Sequence, residues 1–195
     1  MTAADDRTLE DLLERLRTRF YGKYRGIVTD VEPSTMRIKA KVPSVLGETK
    51  TGWCMPCVPY AGPKVGFAFL PEKGSGVWIE FEGGDVSYPI WVGGYWRTGE
   101  FPADVAQQDP AKPAQQVKVI VAAGTVGAPP QSSTGEPPPG LKLVFNDRQG
   151  SITLSDTKGN TVTLGSSGLT LANGQSKVVV SSTSVSVNNG ALEVK

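Results

Sequence analysis

Between Leu141 and Lys195 apolar and polar residues alternate, and this pattern constrains the fold more than any other. Its apolar positions are Leu141, Leu143 and Phe145; Ile152 and Leu154; Val162 and Leu164; Leu169 and Leu171; Val178 and Val180; Val185 and Val187; Leu192 and Val194. Polar or glycine-bearing corners separate them, among them Asn146 to Gly150, Asp156 to Asn160, Gly165 to Gly168, Asn173-Gly174, Ser181 to Ser184 and Asn188-Asn189-Gly190. A period of two residues is that of a strand with one dry face and one wet face. Its recurrence every seven to ten residues predicts stacked short strands, a β-solenoid or prism.

Energy sets a condition on this repeat. Fully burying a Val or Leu contributes roughly 1.5–3 kcal/mol. Ordering the backbone of one residue costs about 1–2 kcal/mol. Two or three aliphatic side chains per strand do not clearly offset that cost in one chain folded on itself. Several copies wrapped around one axis would close their dry faces into a shared core and pair most sheet edges. The repeat therefore predicts an oligomer, a trimeric prism being the expected form.

Composition narrows the function. The length of 195 residues allows one ordinary domain or two small ones, and the net charge of +1 argues against a general polyanion binder. The chain has no histidine, which removes the commonest general acid/base and the commonest metal ligand. No run of about 18 apolar residues is present. Asp5, Asp6, Glu10 and Asp11 stand where a secretory signal would be apolar, so assembly in the cytoplasm is expected. Cys54 and Cys57 form one CxxC pair. Zinc wants four ligands and no second pair or histidine completes the set. Flanks that read as strand do not suit a redox pair, so two small apolar side chains in a barrel are expected.

The chain divides into four segments. Residues 1–22 hold an amphipathic helix of about three turns. Thr8-Leu9-Glu10-Asp11 resembles a capping box, and Leu9, Leu12, Leu13, Leu16 and Phe20 follow at helical spacing. Residues 23–98 read as five strands: Tyr24 to Val31; Met36 to Val42, with Met36, Ile38, Ala40 and Val42 inward; near Trp53 to Val58; Val77 to Glu82; and Pro89 to Trp96. Five strands in about 75 residues suggest a small closed barrel of the OB type. Residues 99–116 are an extended linker rich in Pro, Gln and Asp. Residues 117–195 hold a strand at Val117, Val119 and Val121, a Pro/Gly-rich loop at 122–140, and the repeat.

The barrel segment also carries a resemblance. Tyr24-Arg25-Gly26-Ile27-Val28-Thr29-Asp30, Arg37 to Pro43, Trp53, Met55-Pro56-Cys57, Pro59 to Gly62, Phe69 to Gly74, Val77 to Asp85 and Tyr88 to Trp96 resemble the OB domain of contractile-tail spike proteins. That group comprises the phage baseplate spike (baseplate assembly protein V) and VgrG-type proteins. The resemblance implies an all-β homotrimer with an N-terminal helix, a five-stranded OB barrel and a C-terminal intertwined β-helix, the needle. It implies a place in the baseplate of a virion or injection particle, between a hub and inner tube and a target envelope breached on sheath contraction. Cargo would travel with such a particle. The work is mechanical, so neither an enzyme nor a nucleic-acid binder is expected, and no catalytic residue, metal or cofactor is assigned.

Departures from the family pattern refine these expectations. The segment 99–116 is too short for the lysozyme domain some phage spikes carry. Only a helix precedes the barrel, so the hub is expected to be a separate chain. Leu9, Leu12, Leu13, Leu16 and Phe20 are its expected interface. Without histidine, the needle would lack the metal apex of some short spikes. Leu192 and Val194 would instead form a blunt apolar tip that a PAAR-type tip protein would cover, unless Glu193 and Lys195 solvate it. The needle core is expected from Leu143, Phe145, Ile152, Leu154, Val162, Leu164, Leu169, Leu171, Val178, Val180, Val185 and Val187. About eight strands at ~4.8 Å spacing give a prism roughly 35–40 Å tall, comparable to the ~30 Å bilayer core. The turn at Glu32-Pro33-Ser34 is shorter than the family pattern.

Two other readings use different residues. A single-strand nucleic-acid binder would use Trp53, Phe67, Phe69 and Trp78 as stacking platforms beside Arg37, Lys39 and Lys41. Core aromatics and a solvated basic face are the simpler account. A polysaccharide-degrading spike would use Glu80 and Glu82 with Asp85 nearby. A solvated strand face accounts for those carboxylates more simply.

Overall fold

A computed structural model describes residues 3–102, 105, 117–123 and 139–194; most of the predicted linker and of the Pro/Gly-rich loop lies outside this set. The chain forms two compact units, Met1–Glu100 and Phe101–Lys195.

The first unit opens with helix α1 (Ala3–Thr18). It starts earlier than the capping box predicts, so Thr8 lies inside the helix. The sequence Ala3-Ala4 has high helix propensity, which extends it N-terminally. The barrel follows as β1 (Tyr24–Glu32), β2 (Arg37–Lys41), a short α2 (Pro43–Leu46), β3 (Met55–Pro56), β4 (Ala61–Gly62), β5 (Val65–Gly66), β6 (Gly76–Phe81) and β7 (Pro89–Tyr95). Its main sheet has the order β2-β1-β6-β7-β3. An antiparallel bridge between Ile38 and Cys54 links its two ends. Cys54 N–H donates to the Ile38 carbonyl at 2.8 Å, and Thr51 N–H to the Ala40 carbonyl at 2.9 Å.

The barrel core is Val28, Ile38, Ala40, Val42, Cys54, Val77, Ile79, Phe81 and Trp91. The inward set expected from the second strand holds at Ile38, Ala40 and Val42. Met36 departs from it. It sits in the preceding turn with φ +57°, and its carbonyl accepts from Trp91 Nε1–H at 3.1 Å. β4 and β5 pair only with each other, as a hairpin outside the main sheet.

The second unit contains one eight-stranded sheet: β8 (Val117–Ala123), β9 (Pro139–Asn146), β10 (Ser151–Ser155), β11 (Asn160–Gly165), β12 (Gly168–Asn173), β13 (Ser176–Val180), β14 (Val185–Val187) and β15 (Leu192–Val194). The order from β15 back to β8 is strictly sequential, and every neighbouring pair is antiparallel. Within one chain the repeat is therefore an up-and-down meander. From β9 onward, strands are joined by only two or four residues, which permits an antiparallel return but not a crossover.

Candidate assembly surfaces

The meander aligns its aliphatic side chains in two rows. Cross-strand partners run Leu143–Leu154–Val162–Leu171–Val178–Val187–Leu192 in one row. In the other they run Phe145–Ile152–Leu164–Leu169–Val180–Val185–Val194. Residues paired across antiparallel strands point to the same face, so both rows lie on one side of the sheet. The opposite side carries Val144, Thr153, Thr163, Thr170, Val179 and Ser186 in register. Thr153 and Thr163 hydroxyls lie 3.4 Å apart there.

All twelve residues expected for the needle core are in these two rows, and Leu192 and Val194 end them. The rows are nevertheless open: none of these residues is buried within its own chain. Leu154, Val162, Leu171, Val178 and Val187 line an apolar groove of about 700 Å³. Leu192 and Val194 are each 61% exposed on β15, the last strand of the sheet.

One member of the face escapes the sequence pattern. Ile120 pairs with Leu143 and extends the first row onto β8, while Val119 pairs with Val144 on the opposite side. The run Val117-Lys118-Val119-Ile120-Val121 has apolar residues of both parities, so alternation alone does not choose the face. Lys118, opposite Phe145, forms an ion pair with Asp147.

Polar corners set the turns. The Asp156 carboxylate accepts from the Lys158 and Asn160 backbone N–H groups at 2.8 and 2.9 Å and from Asn160 Nδ2 at 2.6 Å. These bonds, those to Asn160 first, hold its carboxyl below the usual carboxylate range. Asn173 Nδ2 donates to Asn160 Oδ1 at 2.6 Å, continuing the ladder.

On the first unit the structure separates the predicted helix stripe into two parts. Leu9, Leu12 and Leu13 are 44–55% exposed. The Leu16 side chain is outside the described set. Phe20 packs instead against the barrel core, meeting Tyr24 and Phe81 edge-on with ring centroids 6.2 and 6.4 Å away. Its N–H donates to the Gly84 carbonyl at 2.8 Å, and Arg19 pairs with Asp85 at 2.9 Å. A Cβ on Gly84, which has φ +76°, would lie 3.0 Å from Phe20 N and 3.1 Å from Arg19 Cβ. The end of the helix segment is therefore clipped to the turn before β7 by a contact only glycine fits.

Trp53 is half-exposed beneath Lys39, whose Nζ is 4.7 Å from the ring centroid. Trp78 lies against Tyr95 with the Arg25 guanidinium 5.7 Å from its centroid. Phe67 and Phe69 are 54% and 63% exposed and Trp53 38%, which corrects the assignment of these three as core aromatics. The aromatic side chains among the nine buried core residues are Phe81 and Trp91, with Phe20 and Tyr24 packed against them. Lys41 is paired with Glu48. Glu80 faces Lys23 at 3.4 Å and Asp85 faces Arg19, so these two carboxylates are engaged in ion pairs. The cysteines also differ from each other. Cys54 is fully buried and burial pushes its thiol up, whereas Cys57 is exposed, and the two are not bonded.

Comparison with known families follows the same division. Residues 24–96 match the type VI secretion system/phage-baseplate injector OB domain. Residues 136–193 match the phage baseplate V C-terminal trimerisation domain. No curated protein matched the chain.

Proposed function

Since the chain belongs to the baseplate V family of phage and type VI injector spikes, we propose that three copies form the central spike of a contractile injection particle, with the repeat as its membrane-puncturing needle. The observation that carries this reading is the open aliphatic face: two rows of seven side chains, exposed or half-exposed, none of which one chain buries. Uncovered apolar surface of that extent is unfavourable for a solitary chain. Three identical sheets facing inward cover it and build the shared core the second unit otherwise lacks.

In this reading the barrel end joins the hub and inner tube, and the Leu9, Leu12, Leu13 and Leu16 stripe docks into the hub as a separate chain. Phe20 anchors that helix rather than docking. Leu192 and Val194 form the leading end, covered by a PAAR-type tip protein. The spike is assembled in the cytoplasm, and sheath contraction drives it, with any cargo, through the target envelope. The family is one of structural baseplate components. No bond-breaking step is needed for this work, and the paired carboxylates around β6 serve the barrel surface.

The experiment is light scattering on the full chain at micromolar concentration, beside the variant Leu171→Asp. The expected masses are those of a trimer for the native chain and of a monomer or aggregate for the variant, which would place three carboxylates in the shared core. A monomeric native chain would sink the reading.

A further inference from the structure

The barrel carries two apolar features that its own fold does not use. The first is a knob. The β4–β5 hairpin presents Tyr60, Val65, Phe67 and Phe69, all more than half exposed. Their rings form one cluster: Tyr60 meets Phe67 edge-on at 6.4 Å, and Phe67 stacks with Phe69 at 6.3 Å. The hairpin is held by Phe67 N–H donating to the Tyr60 carbonyl at 2.9 Å. Gly66 makes this possible, because a Cβ there would stand 2.7 Å from the Tyr60 oxygen. Contiguous exposed aromatics on a fixed support mark an interaction site more strongly than scattered ones.

The second feature is a hole. A cleft of about 230 Å³ is walled by Trp53, Met55, Tyr88 and Ile90, with Arg37 and Glu82 at its rim. It has the scale of an aromatic side chain. The rim carries one cation, Arg37, and one anion, Glu82, so the match between hairpin and cleft is one of apolar character and size rather than of charge.

The geometry points to a head-to-tail contact in which the aromatic hairpin of one barrel enters the Trp53–Tyr88 cleft of the next copy in the trimer. This rests on the trimeric reading above. A closed three-fold ring needs two different complementary surfaces on each subunit, and the barrel presents two. Chain length supplies the partner. Twenty-one residues separate Tyr95 from Val117, so each barrel stays within about 75 Å of the needle base even with that segment fully extended. Confinement in that volume sets an effective concentration on the order of 1 mM or higher. A contact with a dissociation constant near 1 mM is then at least half formed, and a stronger one is closed.

The test uses the full chain with Cys57→Ser, to remove the exposed native thiol, and with Val65→Cys and Ser87→Cys on hairpin and cleft. Mild oxidation is expected to give covalent dimers and trimers on a denaturing gel. Either added cysteine alone should give none. Phe67→Ser on the knob and, independently, Met55→Glu in the hole should each slow cross-linking about ten-fold while scattering still reports a trimer. An intact trimer whose chains do not cross-link, or that cross-links equally fast with both variants, overturns the contact and leaves the spike reading standing. A monomer in scattering overturns both.

Discussion

Asp85 shows how one residue ties distant parts of the chain together. Its carboxylate accepts from the Ser87 backbone N–H at 2.9 Å and pairs with Arg19 at the end of the helix segment. The Ser87 bonds first, and Arg19 after them, hold its carboxyl below the usual range. A carboxyl lowered in the folded state contributes stability that is present above its unfolded value, about pH 3.9, and is lost as the pH falls through the folded value. Asp85→Asn is therefore expected to lower the thermal midpoint of the barrel at neutral pH. The gap from the native chain should close below about pH 4, as followed by tryptophan fluorescence. An equal gap at pH 3 and pH 7 would contradict the linkage. Asp30, Glu48, Glu100 and Asp156 are also lowered, but they are common to both proteins and cancel in the comparison. The turn at Gly83-Gly84-Asp85 is legible in the sequence as a turn. Its contact with Arg19 and Phe20 is not, because nothing local records a partner some 65 residues away.

At the level of elements, alternation in the repeat was nearly sufficient. It identifies each strand from β9 to β15 and the face each side chain takes, because short turns leave the register little freedom. It fails on β8, where apolar residues of both parities leave the face undetermined and pairing with β9 decides it. That decision gives a discriminating pair of substitutions. Ile120→Asp should lower the temperature at which the trimer dissociates on a semi-native gel far more than Val119→Asp, one residue away. The reverse ranking would mean that the sheet turns its other side inward. Barrel strands were legible for the same reason, as in Val77, Ile79 and Phe81. The exposed Phe67 and Phe69 were not, since apolarity expresses a preference for burial without showing whether the fold has space. The helix pattern was correct in period but not in extent, and its last aromatic belongs to the barrel.

Taken whole, the chain joins a unit with its own core to a unit without one. The barrel buries nine apolar side chains, whereas the described part of the second unit buries only Val105 among its hydrophobic residues. Stability of the second half is thus a property of the assembly and depends on protomer concentration, while the barrel can persist in a dissociated chain. The exposed helix leucines lie in the self-sufficient half. Leu12→Asp is accordingly expected to leave the trimer intact by light scattering while abolishing recovery of the protein in purified particles. Loss of the trimer instead would make the helix part of the oligomer. The meander has a mechanical consequence as well. Its strands lie crosswise to the direction in which they stack, so a thrust along the stack passes through every hydrogen-bonded ladder in series. Load shared in series is limited by the weakest link, and the ladders between β13 and β14 and between β14 and β15 have three paired positions each against six between β11 and β12. The β13–β15 end is therefore the most compliant part of the stack, and in the proposed spike an external cap would brace it against buckling.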